Sequence, residues 1–200
     1  MGKVLFYMYQ DMSDFETTLA CHLVSFQTGH EIIPIAYEMK QLSNRIGFTL
    51  IPKNTVADAL EMQDVEGIII PGGWNDEQRQ ELTNLIQRIH NKGKLLAGIC
   101  GGPQYFARAG VLKGKQYTTT LLAEEYQEND IADPFPRDTH VEQQIVRDQN
   151  IITAKNTAFV DFAIEICDWF GLFQNAKQKD LAARIYKGEN VDISEAESSS

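Results

Sequence analysis

The residues of this chain best suited to chemistry stand in one hexapeptide, Gly98-Ile99-Cys100-Gly101-Gly102-Pro103. An apolar run ends there and a helix-forming segment begins. Glycines on both sides of a nucleophile let the chain make a tight, strained turn that lifts the reactive side chain above a sheet, so the pattern has the form of a nucleophile elbow with cysteine in place of serine. A thiol in that position faces the start of the next helix, whose free N–H groups and partial positive charge favour the thiolate. The competing explanation is a small buried cysteine in a turn that merely needs room. Acyl chemistry at sulfur also requires N–H donors aimed at the developing oxyanion. Pro71-Gly72-Gly73 closes the preceding strand, and neighbouring parallel strands end on the same side, so the N–H of Gly73 is expected to converge with that of Gly101. An ordinary strand-ending turn explains the Gly-Gly pair as well.

Glu16 has two readings. It lies one turn into the first helix, beyond the carboxyl end of the first strand, where it can meet the elbow. It also completes Ser13-Asp14-Phe15-Glu16, the S-x-x-E form of a capping box, in which the carboxylate only satisfies a helix-terminal N–H. Trp74, directly after the Gly-Gly turn, is expected at the pocket mouth with Gly73, Cys100 and Gly101. Cys21 and Cys167 fall inside amphipathic helices beside Leu23 and Ile164 and read as small core residues.

The elements that must position these groups alternate between strand and helix. Strands are expected over Lys3–Tyr9, Glu31–Tyr37, Glu66–Ile70, Lys94–Ile99, Gly114–Thr120, Val141–Val146 and Ile151–Ala154, with a short extended piece at Gly47–Ile51. Helices are expected over Ser13–Thr28, Thr55–Met62, from Asn75 or Asp76 to about His90, Pro103–Ala109, Leu121–Asn129, Thr157–Phe173 and Ala176–Lys187. The continuous β-branched run Ile68-Ile69-Ile70 is that of a strand covered on both faces. Such alternation argues an open, mainly parallel sheet with helices on both faces and a site at the carboxyl ends of its strands.

Composition narrows the function classes. With 43% apolar and 23% charged residues in 200, the chain has material for one core, so a single domain over 1–187 is expected, followed by an acidic tail over 188–200. A net charge of -10 repels phosphate backbones and excludes nucleic acid as the natural partner. No apolar run has the length of a membrane span and the first residues lack a signal-peptide layout, so a cytoplasmic protein is expected. Three widely separated cysteines give neither a disulfide framework nor a zinc site, and no metal or cofactor is expected.

In order and spacing, the opening strand, Phe15-Glu16-Thr17, Gly67 to Gly73, Gly98 to Pro103, Ala109 to Gly114, and Asp148 to Thr153 before Phe162-Ala163 resemble the ThiJ/PfpI superfamily over about residues 3–173. These are class I glutamine amidotransferase-like proteins. The resemblance implies a flavodoxin-like three-layer α/β/α sandwich with a mainly parallel sheet, and a homodimer. It further implies that Cys100 is the elbow nucleophile, that Glu16 is the carboxyl group touching its sulfur, and that Gly73 and Gly101 line the oxyanion hole. The activity implied is a cysteine-dependent hydrolase or lyase of small carbonyl or amide compounds: amidase, glyoxalase-like or deglycase-like. The alternative is a redox-responsive stress protein in which Cys100 is oxidised to a sulfinic acid held by protonated Glu16. Members described as proteases carry a histidine directly after the cysteine, and Gly101 stands there instead, which argues against a peptidase. Other members bring a histidine from a loop before the late strand pair, where this chain offers His140, with Arg137 nearby, as candidate base or as a solvated loop residue.

Overall fold

The computed structural model describes residues 2–75 and 77–191. In chain order its elements are β1 (Lys3–Tyr7), α1 (Phe15–Gln27), β2 (Glu31–Ala36), β3 (Leu42–Ser43), β4 (Thr49–Leu50), β5 (Asn54–Thr55), α2 (Val56–Glu61), β6 (Val65–Ile70) and α3 (Gln80–Asn91). There follow β7 (Leu95–Ile99), α4 (Pro103–Arg108), α5 (Ala123–Glu128), β8 (Ile145–Asp148), β9 (Ile151–Ala154), α6 (Phe159–Trp169) and α7 (Ala176–Tyr186). Seven strands form one sheet in the order β5-β2-β1-β6-β7-β9-β8, parallel throughout except for β8 against β9. Its topological switch lies between β1 and β6. Chains leaving these strands at their carboxyl ends turn in opposite directions there and leave a crevice, the usual ligand position in such sheets. Helices on both faces complete the flavodoxin-like three-layer arrangement.

Two apolar clusters hold the layers together. One packs α2, α3 and α4 on the first face through Val56, Leu82, Leu85, Ile86 and Phe106; the other packs α1, α6 and α7 on the second through Leu23, Phe162, Ile164 and Ala182. Leu82, Leu85, Ile86 and Ile89 form the buried stripe that α3 owes to its 3.6-residue period. Truncating one of them, as in Leu85→Ala, is expected to cost about 2–5 kcal/mol. β6 and β7 are buried on both faces from Gly67 to Ile70 and from Leu95 to Ile99, as their unbroken apolar runs require.

Three expected elements differ, the first being the late strand expected over Val141–Val146, which forms instead at Ile145–Asp148. Gly114–Thr120 is not a strand but an extended loop with one isolated bridge, Tyr117 to His140. Its threonines use their hydroxyls on neighbouring backbone instead of leaving the main chain free to form a ladder: Thr118 Oγ1 donates to Gln143 O at 2.8 Å, and Thr119 Oγ1 donates to Cys100 O at 2.7 Å. The helix expected from Asn75 or Asp76 begins only at Gln80, with Arg79 before it in an extended conformation. Asn75 Oδ1 accepts the Glu77 N–H at 2.7 Å and Tyr37 Oη accepts the Arg79 N–H at 2.8 Å. Residues 192–200, most of the expected acidic tail, lie outside the described residues. Among the described residues no helix is long and apolar enough to cross a membrane, and no group of His, Cys, Asp and Glu is arranged to hold a metal ion.

Candidate active site

Cys100 is the first residue past β7 and has a φ of 58°, in the left-handed region that side chains other than glycine rarely adopt. Such a backbone costs about 1–3 kcal/mol and persists where the surroundings over-determine it. Here they do. The Cys100 N–H donates to Ala154 O at 2.8 Å, and its carbonyl accepts from the Thr120 N–H at 3.2 Å as well as from Thr119 Oγ1. The glycines after it follow from close packing: a Cβ on Gly101 would stand 2.2 Å from the Gly73 carbonyl oxygen, and one on Gly102 would stand 2.5 Å from Ile70 O. The strained turn expected from the hexapeptide is therefore present. The helix after it, α4, has only six residues.

Glu16 does not cap α1. The N-cap is Asp14, without a side-chain cap bond, while the Ser13 N–H donates across to Gly72 O at 2.8 Å. The Glu16 side chain, 2% exposed, instead accepts the Gly72 N–H through Oε2 at 2.9 Å. Gly72 marks where the site closes: a Cβ there would stand 2.1 Å from Glu16 Oε2, 2.5 Å from Cys100 Cβ and 2.9 Å from Cys100 Sγ. Carboxylate and sulfur thus converge on one point from the ends of β1 and β7, with the end of β6 between them. Tyr9, at the end of β1, fixes that middle segment by donating its hydroxyl to Gly72 O at 2.7 Å and Pro71 O at 3.0 Å.

Burial sets the protonation of the pair. Desolvation raises the Glu16 carboxyl to about 6, against the lowering effect of the Gly72 N–H and the Cys100 thiol. Desolvation, then the Glu16 charge, pushes the Cys100 thiol up to about 11, although the Thr120 hydroxyl and the Gly101 N–H both donate toward the sulfur and oppose the rise. Burial thus favours the protonated form of both groups, and their two charged forms oppose each other at contact. Burial and a carboxylate at contact thus oppose the thiolate favoured on sequence grounds. Cys21 and Cys167 are pushed higher still, each to about 12, by burial. Cys100 is accordingly expected to be the first thiol alkylated by limiting iodoacetamide, read by peptide mapping; earlier labelling of Cys21 or Cys167 in the folded protein would contradict this order.

The remaining candidates are placed as follows. The Gly73 carbonyl faces Gly101 and is held by Gln104 Nε2 at 3.3 Å. Since Gly72 O is pinned by Tyr9 and Ser13, the trans peptide directs the Gly73 N–H the opposite way. Trp74 is 37% exposed and packs its ring 4.9 Å from that of Tyr126 in α5. His140 stands 5.5 Å ring to ring from Tyr117, and its imidazole is kept below its ordinary pKa by burial and by Arg137. The groups acting on it include Glu142 and Lys155; those acting on the Cys100 sulfur are Glu16, Thr120 and Gly101. The residues that sequence reasoning missed are Thr119, Thr120 and Tyr9. The signal for the first two was the unbroken run Thr118-Thr119-Thr120, three hydroxyls read as β-branched strand formers.

Comparison with known proteins finds relatives that span most of this chain. The chain is 24% identical over 157 residues to Deglycase TK1284 of Thermococcus kodakarensis, covering 77% of this chain and 90% of that one. It is 24% identical over 184 residues to the uncharacterized protease YoaZ of Bacillus subtilis, covering 86% and 84%. The DJ-1 superfamily protein Atu0886 from Agrobacterium tumefaciens superposes with a TM-score of 0.78 at 26% identity, covering 94% of this chain and 98% of that one. The sequence profile of the DJ-1/PfpI family matches residues 2–168, and with the elbow at the end of β7 and the buried carboxylate beside it, the chain belongs to the DJ-1/PfpI family.

Proposed function

We propose that this protein is a cysteine-dependent hydrolase or lyase of small carbonyl or amide compounds, with Cys100 as nucleophile and Glu16 as its proton acceptor. The observation that carries this reading is the convergence of the Glu16 carboxylate and the Cys100 sulfur on Gly72. As the sulfur attacks an electrophilic carbon, the S–H proton passes to Glu16 Oε2 and the electron pair left on sulfur forms the C–S bond. The carbonyl oxygen gains the charge of the broken π-bond and takes up the N–H groups of Gly101 and Gly73. With an amide, the oxyanion re-forms its π-bond, the C–N bond breaks and the amine leaves with the proton held by Glu16, giving a thioester; water then adds to that carbon while its proton passes to Glu16, the C–S bond breaks to release the acid, and the proton returns from Glu16 to sulfur. No step is routed through His140. The similarity to a protein named as a deglycase supports carbonyl chemistry. A peptidase with an imidazole next to its nucleophile is not what this site offers, because the Gly73 carbonyl fills the direction in which a side chain at position 101 would leave.

Intact-mass analysis and peptide mapping after parallel incubation with methylglyoxal, a simple amide and peroxide test the proposal. Methylglyoxal or the amide is expected to give turnover, or an adduct mapped to Cys100. Addition of oxygen by peroxide with neither turnover nor adduct from the other two would replace the enzyme reading with redox sensing.

A further inference from the structure

We propose that Tyr9 is a positioning residue whose hydroxyl, shared between the Pro71 and Gly72 carbonyls, sets the peptide planes on both sides of Gly72, so that one N–H is given to Glu16 and the next to the oxyanion. This deepens the reading of the site given above and rests on it. Tyr9 Oη lies 2.7 Å from Gly72 O and 3.0 Å from Pro71 O. A hydroxyl has one proton to give, so the two successive carbonyls share it and both turn toward the ring. A trans peptide carries its N–H opposite its carbonyl. With the Pro71 carbonyl on Tyr9, the Gly72 N–H therefore leaves on the other side, where it meets Glu16 Oε2 at 2.9 Å. With the Gly72 carbonyl on Tyr9, the Gly73 N–H likewise leaves away from the ring. It does so beside the elbow, since the Gly73 nitrogen lies 3.4 Å from where a Cβ on Gly101 would stand.

The segment that Tyr9 holds cannot hold itself. Gly72 and Gly73 have no side chains to anchor them, and Gly73 has a φ of 133°, a conformation open to glycine and costly for other residues. The constraint must come from outside. The Tyr9 ring, 4% exposed, is wedged between the rings of Tyr7 and Tyr105, each 5.6 Å away centre to centre, so the place of its hydroxyl is fixed by packing. Burial also raises its phenol well above the ordinary pKa, which keeps it a donor. The Ser13 N–H shares the hold on Gly72 O, while the Tyr9 hydroxyl reaches the preceding carbonyl as well. The titratable groups that bear on Glu16 are Cys100 past β7 and Tyr9 after β1. Tyr9 gives up no proton in this role. It acts through the Gly72 N–H, the donor that works against burial on the Glu16 carboxyl.

Tyr9→Phe deletes the hydroxyl and keeps the ring. Tyr37→Phe, the control, deletes another hydroxyl of the same tyrosine cluster, one engaged by the Arg79 N–H. With the glycines labelled for NMR, the Gly72 amide is followed from about pH 4 to pH 8, and the melting temperature of each variant is recorded. In the parent the amide proton is expected to move downfield as Glu16 ionises, with a midpoint at about 6. In Tyr9→Phe the midpoint is expected to rise by about one unit and the amplitude to fall about two-fold, because the donor to the carboxylate is no longer held in line. Tyr37→Phe is expected to titrate with the parent. Tyr9→Met serves as a second deletion should the phenylalanine variant not fold. A parent-like titration in Tyr9→Phe overturns the proposal even where its melting temperature falls, since a packing residue would give that result. Equal shifts in Tyr9→Phe and Tyr37→Phe overturn it too, as does a Gly72 amide that does not titrate in the parent. The Gly73 N–H is read in turnover of methylglyoxal: kcat for Tyr9→Phe is expected to fall about ten-fold or more with KM within about three-fold, and an unchanged kcat counts against the proposal. The amide titration reads the peptide and not turnover, so a parent protein that processes no carbonyl or amide compound would remove the enzyme reading, while the titration still decides the role of Tyr9.

Discussion

Gly101→Ala is expected to lower the melting temperature by roughly 2–12 °C, because overpacking against an element that cannot move aside costs about 1–3 kcal/mol and each kcal/mol is worth about 2–4 °C in a chain of this size. The added Cβ would stand 2.2 Å from the Gly73 carbonyl oxygen, a backbone atom and not the end of a flexible side chain. That carbonyl is tied to Gln104 Nε2, and Gln104 Oε1 accepts in turn from Arg108 Nη2 at 2.8 Å. To make room, the Gly73 segment must swing out and break this tie, carrying its N–H out of the oxyanion position proposed for it. Differential scanning calorimetry together with the rate of Cys100 alkylation checks the result. The comparison variant is Gly72→Ala, whose Cβ would stand 2.1 Å from Glu16 Oε2 and 2.9 Å from Cys100 Sγ, atoms able to turn away, but also 2.5 Å from Cys100 Cβ, which its backbone fixes. It is expected to disturb the sulfur more than Gly101→Ala does. A Gly101→Ala protein that melts with the parent would show that the Gly73 loop yields freely and that glycine at position 101 is not a packing requirement.

The contrast between these two glycines shows why the sequence was informative about one part of the site and silent on another. Alternation of apolar runs with amphipathic segments made the open parallel sheet legible, since both patterns are local and each is set by burial of one face or two. The elbow was legible for the same reason: strand end, cysteine, glycines and proline lie within six residues, and their backbone demands are local. Glu16 was ambiguous because a capping box and a site carboxylate have the same spacing, and only the pairing of Ser13 with Gly72, 59 residues apart in sequence, takes the cap away. Thr120 was invisible. Its contact with the Cys100 carbonyl depends on the loop after α4 returning to the elbow, and β-branched residues in a row read as strand whether their hydroxyls face solvent or, like that of Thr119, hold a carbonyl. The helix start at Gln80 was misplaced on similar grounds, because Asn75 is as good an Asx-turn residue as it is an N-cap, and the Tyr37 hydroxyl that holds Arg79 comes from a distant strand end.

Glu16→Gln separates the two demands made on that residue, because its expected effects on turnover, thiol reactivity and stability run in different directions. Loss of the proton acceptor is expected to reduce turnover of a carbonyl substrate by about a hundred-fold or more, the usual contribution of a positioned general base. In the parent protein the rate should rise as pH passes upward through about 6, where the Glu16 carboxyl ionises, and this limb should vanish in the variant. The Glu16 charge is one of the causes that raise the Cys100 thiol, so its removal is expected to lower that pKa and to make iodoacetamide labelling at neutral pH faster. Stability follows from the sign of the carboxyl shift. Its folded-state pKa lies above the ordinary value, so the folded protein binds this proton more tightly than the unfolded chain. The resulting stabilisation is complete below the ordinary carboxyl range and is lost as pH rises through about 6. Glutamine accepts the same Gly72 N–H without an ionisation to suppress, so the melting temperature of the variant relative to the parent should climb between about pH 4 and pH 8. Slower turnover accompanied by slower alkylation and a uniform loss of stability would mean that Glu16 is only a packing residue. Faster alkylation in a protein that melts no lower at neutral pH is the signature of a carboxylate kept in an unfavourable place for the sake of the sulfur beside it.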